Sequence, residues 1–134
     1  MDIKRKIFKA YDIRGVYPTE INEKTVWQIG LALGRYFSAQ GGKKIAIGYD
    51  ARLSSRSLYE ALKRGLKGLK WHDAGLITTP TLYFLVNHFN LAGGIVITAS
   101  HDPKEYNGLK IVGSKAVMIS GEEILRIGNF YEDK

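Results

Sequence analysis

The chain has 134 residues, of which 45% are hydrophobic and 25% charged, and its formal net charge at pH 7 is +7. This composition is typical of a globular protein and excludes a disordered chain. Because cysteine is absent, disulfides and thiolate metal sites are excluded as well. We therefore expect a single domain over residues 1–134.

The charge and the N-terminal residues bear on partners and location. A net positive charge favours anionic partners, either nucleic acid or phosphorylated small molecules. Aromatic residues do not alternate with the basic ones as they do in single-strand binders, so we expect no nucleic-acid partner. Residues 1–6 lack the apolar core of a signal peptide, and no run approaches membrane-spanning length. We expect a cytoplasmic protein without a membrane partner.

The first half of the chain predicts strands alternating with helices. Residues 7–11 favour a short strand or extended segment, and a helix capped by Thr19 should follow. The glycine pair at 41–42 should end that helix, before an apolar strand over 44–49. A capping box beginning at Ser57 predicts that a second helix starts in that region.

The second half continues the alternation and ends in a ribbon. The predicted elements are a strand over 71–76, a helix capped by Thr79 with Pro80 in its first turn, a strand over 94–98, a hairpin of 109–112 with 116–119, and a helix capped by Ser120. This order predicts an α/β fold. We expect a three-layer α/β sandwich with a mixed, mainly parallel sheet and an antiparallel edge ribbon.

Three polar segments follow predicted strands, at 12–15, 50–55 and 99–107. In an open α/β sheet such segments gather in one crevice at the strand ends. The second segment combines Asp50, Arg52 and hydroxyls ahead of a helix. It could bind phosphate through backbone N–H groups and the helix dipole. A buried Asp50–Arg52 pair that ties neighbouring loops together is the equal alternative.

The third polar segment places a serine beside a histidine, with a lysine ten positions further on. A serine needs a base or an electrophilic environment to act as a nucleophile. His101, Lys104 and Lys110 could supply a proton acceptor or positive charge to Ser100. The plainer alternative is that Ser100 caps a turn and His101 is a solvated side chain.

Four segments together resemble one family, the α-D-phosphohexomutases, in their phosphomannomutase/phosphoglucomutase branch. They are Phe-Lys-Ala-Tyr-Asp-Ile-Arg-Gly at 8–15, Gly-Tyr-Asp-Ala-Arg-Leu-Ser at 48–54, Thr-Thr-Pro at 78–80, and the run from Thr-Ala-Ser-His-Asp-Pro to Tyr-Asn-Gly-Leu-Lys at 98–110. Their order and spacing also agree with that family. The resemblance covers nearly the whole chain, which would be the first of the four domains that family members have.

The resemblance implies a function and a set of site residues. Ser100 would carry the phosphoryl group that is exchanged with a hexose phosphate, glucose or mannose, through a bisphosphate intermediate. Lys110 would transfer protons and His101 would stabilise charge or shuttle protons. The substrate- and phosphate-binding residues would be Tyr11, Arg14 and Asn107. A phosphoserine oxygen at Ser100 would ligate Mg²⁺, with further ligands from absent domains, and a glucose 1,6-bisphosphate-type activator is implied.

Two departures from the family pattern qualify this expectation. Asp102 stands where the family usually has Asn, and a second negative charge near a phosphoserine should alter its lifetime or its metal affinity. No Asp-x-Asp-x-Asp magnesium loop occurs, and the other cleft walls are missing. The chain alone should therefore lack steady turnover, as an excised domain, a natural fragment or part of a split enzyme. The alternative is a non-catalytic assembly module that pairs with the missing domains or with itself.

Overall fold

Strands and helices alternate along the chain in a computed structural model that describes residues 3–41 and 44–129. The strands are β1 Ile13–Val16, β2 Ile45–Tyr49, β3 Trp71–Leu76, β4 Gly93–Ile97, β5 Tyr106–Gly113 and β6 Met118–Ile119. The α-helices are α1 Glu23–Ala39, α2 Ser55–Gly65, α3 Thr79–His88 and α4 Gly121–Gly128.

The six strands of the described residues form one mixed sheet in the order β1-β5-β4-β2-β3, with β6 also paired to β5. Strand β2 is parallel to both β3 and β4. Strand β5 is antiparallel to β4, β1 and β6. Because β4 occupies one edge of β5, the short strands β1 and β6 share its other edge. The sheet thus has a parallel half and an antiparallel half.

Helices cover both faces of the sheet. Helices α1, α2 and α4 pack on one face, where Ile45, Ile47, Ile95 and Ile97 contribute to a large buried apolar cluster. Helix α3 packs on the other face, in a smaller cluster that contains Ala46 and Val96. Alternate residues of a strand point to opposite faces, which is why neighbours in β2 and β4 belong to different clusters. The predicted three-layer α/β fold is confirmed.

Helix starts show where local signals succeed and fail. Ser120 caps α4 as predicted, since its side chain accepts a hydrogen bond from the Glu123 amide. The prediction of Thr19 as the cap of the first helix is wrong, because Asn22 caps α1 by accepting from the amide of Thr25. Ser57 lies inside α2, and its hydroxyl donates to Glu23 of α1. Ser57 therefore joins two helices and does not cap α2.

The N-terminal strand also lies later than predicted. Residues 5–7 form a 3₁₀ turn, and β1 begins only at Ile13, inside the segment predicted as a polar loop. This segment becomes a strand because Ile13–Val16 pairs with residues 106–109 of β5. A Cβ on Gly108 would lie 1.9 Å from the Ile13 carbonyl oxygen, so this pairing requires glycine there. Within the described ranges, no helix is long and apolar enough to cross a bilayer.

Candidate active site

The serine loop, residues 98–107, follows β4 at the carboxyl end of the parallel strands and includes the first two residues of β5. The Thr98 amide donates to the Gly108 carbonyl at 2.9 Å, which closes the base of the loop. The Thr98 hydroxyl accepts a hydrogen bond from the Ser100 amide at 3.0 Å. Ser100 has φ +56°, a left-handed conformation that is uncommon for residues other than glycine, and its side chain is exposed. The loop therefore holds an accessible hydroxyl in a restrained conformation.

An open cleft of about 800 Å³ lies between the serine loop and the N-terminus of α3. Ser100 and His101 line one wall, and residues 76–81 line the other. Thr78 caps α3 by accepting from the Thr81 amide at 3.3 Å. The prediction of Thr79 as this cap is therefore wrong by one residue, because Thr79 is already the first residue of the helix. The cleft is bounded by a serine hydroxyl, an imidazole and a helix N-terminus, a combination suited to an anionic ligand.

Arg52, in the loop after β2, holds the serine loop through its backbone. Its Nη1 and Nη2 atoms donate to four carbonyl oxygens, and its Nε lies 3.5 Å from an Asp50 carboxylate oxygen. The acceptors are the carbonyl oxygens of Ser100 at 2.9 Å, Asp102 at 2.7 Å, Pro103 at 2.8 Å and Tyr106 at 3.0 Å. Hydrogen bonds from a charged donor are stronger than neutral ones. Arg52 is therefore the main attachment between the serine loop and the β2–α2 connection.

A second set of hydrogen bonds runs beneath the loop through Asn107. Its side-chain nitrogen donates to the hydroxyls of Ser54 at 2.8 Å and Ser55 at 2.9 Å, and its oxygen accepts from the Gly108 amide. The Ser55 hydroxyl donates in turn to Asp50. Asn107 is fully buried. Both of its donor hydrogens are used inside the protein, so a phosphate-binding role stays a prediction that this placement does not favour.

Arg14, on β1, lies between two carboxylates. Its Nε is 3.1 Å from Asp12, which is buried, and its Nη1 is 3.0 Å from Asp102 in the serine loop. Partial burial lowers the pKa of the Arg14 guanidinium, but the hydrogen bond to Asp102 and the charge of Asp12 outweigh it and raise that pKa overall. Asp102 is therefore an ion-pair partner of Arg14 rather than an unbalanced charge.

The remaining predicted residues are spread around the cleft. Lys110 pairs with Val96 across β4 and β5, so it shares the sheet face of a residue that lines the cleft. The Lys110 ammonium group has no hydrogen-bond or ion-pair partner among the described residues, and the residue is partly buried. Tyr11 precedes β1 and is 63% exposed. The fold thus brings Ser100, His101 and Lys110 to one face, and leaves Tyr11 in solvent.

Two features of this site were not anticipated from the sequence. The buried Thr98 hydroxyl fixes the Ser100 amide, and the Thr-x-Ser spacing is a local signal that could have indicated it. The Arg14–Asp102 pair joins residues 88 positions apart, and no local pattern indicates it. Among the described residues, no group of three or more His, Cys, Asp or Glu side chains could hold a metal ion.

An α/β/α domain with a serine-bearing loop at the end of its central strand is thus the class that fold and site define. Residues 5–134 match the family model for phosphoglucomutase/phosphomannomutase, alpha/beta/alpha domain I. The chain belongs to this family.

Similar proteins agree with this assignment. The chain is 44% identical over 125 residues to a phosphomannomutase of Salmonella typhimurium, a match that covers 92% of the chain and 27% of that protein. It is 46% identical over 121 residues to a phosphomannomutase of Klebsiella pneumoniae, covering 89% and 75% respectively. A crystal structure of a phosphoglucomutase/phosphomannomutase family protein from Burkholderia thailandensis superimposes with a TM-score of 0.84 at 35% identity, over 95% of this chain and 30% of that one. The chain thus spans about a quarter of the Salmonella relative.

Proposed function

We propose that this chain is the phosphoserine-bearing domain of a phosphohexomutase that interconverts hexose 1-phosphates and 6-phosphates of mannose or glucose. The observation that carries the proposal is the exposed Ser100 hydroxyl, held in a left-handed conformation at the mouth of the cleft. Backbone conformations of this kind cluster at active sites, where the surrounding structure supports their cost. The family membership supplies the reaction class, and relatives of the chain are phosphomannomutases.

In the proposed half-reaction, Ser100 takes a phosphoryl group from a hexose bisphosphate. A bond forms between the Ser100 oxygen and phosphorus as the bond between phosphorus and the sugar oxygen breaks. The serine proton passes to a nearby base, and the departing sugar oxygen is protonated. Lys110 and His101 are the candidates for these proton transfers. Positioning and charge neutralisation govern phosphoryl transfer, which fits a site built from a held loop and cationic groups.

The proposed enzyme needs more than residues 1–134. This segment, treated as a single domain, forms a cleft that is open to solvent. Magnesium would neutralise phosphoryl charge when bound, with a Ser100 phosphate oxygen as one ligand, and its remaining ligands would come from other segments. A bisphosphate activator, a hexose phosphate substrate and companion domains are the expected partners. Steady turnover by this chain alone is not expected, and a cytoplasmic location stays a prediction from the sequence.

Intact mass measurement and peptide mapping test this proposal. The chain is incubated with Mg²⁺ and glucose 1,6-bisphosphate, by itself and fused in place of the corresponding first quarter of the Salmonella relative. We expect one added phosphoryl group on Ser100, and none in Ser100→Ala. Ser114→Ala, at another exposed serine, should behave as the unaltered chain. Absence of phosphoryl on Ser100 in both forms, or its presence elsewhere, overturns the proposal.

A second candidate function is a non-catalytic assembly module. It is favoured by large apolar side chains that remain exposed, among them Leu53, Leu76 and Phe84. Exposed apolar surface of this kind is common where proteins associate. Analytical ultracentrifugation of the chain alone, and mixed with the last three-quarters of the Salmonella relative, separates the two candidates. A tight complex or self-assembly without Ser100 phosphorylation would favour the module.

A further inference from the structure

We propose that Arg52 is a positioning residue that sets the conformation of Ser100 for phosphoryl acceptance, acting only through backbone carbonyls and never through contact with the phosphate. The link to phosphoryl acceptance rests on the proposed function. The link between Arg52 and the shape of the serine loop rests on geometry alone. The two links can therefore fail separately.

The first step is that Arg52 has no donor left for a ligand. A guanidinium carries five N–H donors in a fixed plane. Four of them point at the carbonyl oxygens of the serine loop at 2.7–3.0 Å, and the fifth, on Nε, faces Asp50. Only 14% of the Arg52 side chain is exposed. Phosphate binding and a buried Asp50–Arg52 pair that ties neighbouring loops together were both open from the sequence, and the arrangement matches the second, with the loop held through its carbonyl oxygens.

The second step is that Arg52 fixes one of the two peptide groups that flank Ser100. The Ser100 carbonyl accepts from Arg52 at 2.9 Å, and the Ser100 amide donates to Thr98 at 3.0 Å. With both peptide planes held, φ and ψ of Ser100 are determined, including the φ of +56° that an L-residue adopts only at a cost in free energy. Thr98 and Arg52 thus hold the nucleophile from its two sides.

The third step concerns the direction of the peptide dipoles. In a trans peptide the C=O and the following N–H point in opposite directions. Since Arg52 attracts the carbonyls of Ser100 and Pro103, the amides of His101 and Lys104 point away from it. Neither amide has an acceptor within the described residues. Arg52 therefore keeps carbonyl oxygens away from an incoming phosphate and leaves N–H groups available to it.

Amide hydrogen exchange of Arg52→Lys tests the geometric link. Lysine keeps the charge but cannot reach four carbonyls in a plane. The loop amides of Asp102 and Tyr106, which donate to Ala99 and Pro103, report its opening. We expect them to exchange about tenfold faster or more, since one charge-assisted hydrogen bond is worth at least that factor in an opening equilibrium. Exchange within β4 should not change.

Arg56→Lys is the matched control. Arg56 is exposed, and its ion pair is with Glu60, 3.8 Å away in the same helix. The loop amides should exchange in this variant as in the unaltered chain. Unchanged loop exchange in Arg52→Lys, or equal acceleration in both variants, overturns the inference whether or not Ser100 accepts phosphoryl.

Kinetics of Ser100 phosphorylation test the functional link. With glucose 1,6-bisphosphate as donor, Arg52→Lys should lower the maximal rate about tenfold or more, because small misplacements of reacting groups have effects of that size. The half-saturating bisphosphate concentration should not change. Millimolar guanidinium should restore the rate in Arg52→Ala, and ammonium should not. A raised half-saturating concentration with an unchanged maximal rate would show that Arg52 binds substrate and would overturn the inference.

Discussion

The two faces of the sheet carry different parts of this protein. Helices α1, α2 and α4 cover one face and bury residues such as Leu33, Phe37 and Leu62 completely. The other face has only α3, with a smaller cluster and an open cleft beside it. Since apolar burial is the main favourable term in folding, the first face supplies most of the stability. The second face can then expose polar groups and a restrained serine without unfolding the protein.

The largest expected effect is a loss of stability when the core on the well-covered face, the one under α1, α2 and α4, is disrupted. Phe37→Ala should lower the free energy of unfolding by about 3–5 kcal/mol, because it removes a fully buried ring and leaves a cavity. Phe84→Ala is the matched change on the α3 side, where the ring is 59% exposed, and should cost less than about 0.5 kcal/mol. Urea unfolding followed by circular dichroism measures both. Similar losses in the two variants would contradict the comparison.

A smaller effect should appear at the restrained serine. Ser100→Gly should raise the free energy of unfolding by up to about 1 kcal/mol, since glycine adopts positive φ without the clash of a Cβ atom. The same variant should accept no phosphoryl group. Ser38→Gly, inside α1, should instead lower stability by about 0.5–1 kcal/mol. A loss of stability in Ser100→Gly would mean that the loop stores no strain.

A change in the charge beside Ser100 should have a still smaller effect, on the lifetime of a phosphoserine there. Asp102→Asn removes one of the two carboxylates that hold Arg14, so Arg14 becomes freer to face a phosphate on Ser100. We expect a phosphoserine lifetime that is a few-fold longer, measured by mass spectrometry after the donor is removed. Glu105→Gln, an equal charge change at an exposed loop position, is the control. Equal lifetimes in all three forms would dismiss a role for Asp102.

The smallest expected effect is a pH dependence of stability that arises on the well-covered side of the sheet. Tyr59 of α2 donates a hydrogen bond to Asp73 of β3, which holds the pKa of the Asp73 carboxyl below its ordinary value of 3.8. A lowered folded-state pKa contributes stability that is present above the ordinary value and is lost as the pH falls through the lowered one. Asp73→Asn should therefore be less stable than the unaltered chain at pH 7.

The difference in free energy of unfolding between Asp73→Asn and the unaltered chain should narrow as the pH falls below 3.8, the ordinary pKa of this carboxyl. Because about half of the Asp73 side chain is exposed, solvent screening keeps the effect on stability small. Urea unfolding at pH 7 and at a pH below 3.8 measures this difference. Glu122→Gln, on the exposed side of α4, is the control. A stability difference that widens in acid would contradict a lowered pKa of Asp73 in the folded protein.

Local chemistry made much of the fold predictable from sequence. The strand over 71–76 has the predicted bounds, and β2 begins one residue after its predicted start. Pro80 and Ser120 marked the starts of α3 and α4 to within one residue. The position of Ser100 at the end of a buried strand could also be predicted. In each case, the residues that form the signal are neighbours in the chain, so the pattern and its physical cause coincide.

Tertiary structure decided what depends on distant partners. Residues 13–16 became a strand only because β5 lies beside them, and Asn22 rather than Thr19 caps α1. The sequence by itself determined the family and the sheet-and-helix order, since these follow from short-range motifs and periodicity. Only the folded chain settled that Arg52 binds carbonyls 48–54 positions away and that Arg14 pairs with Asp102. Contacts of that range depend on how the strands are ordered, which no local pattern specifies.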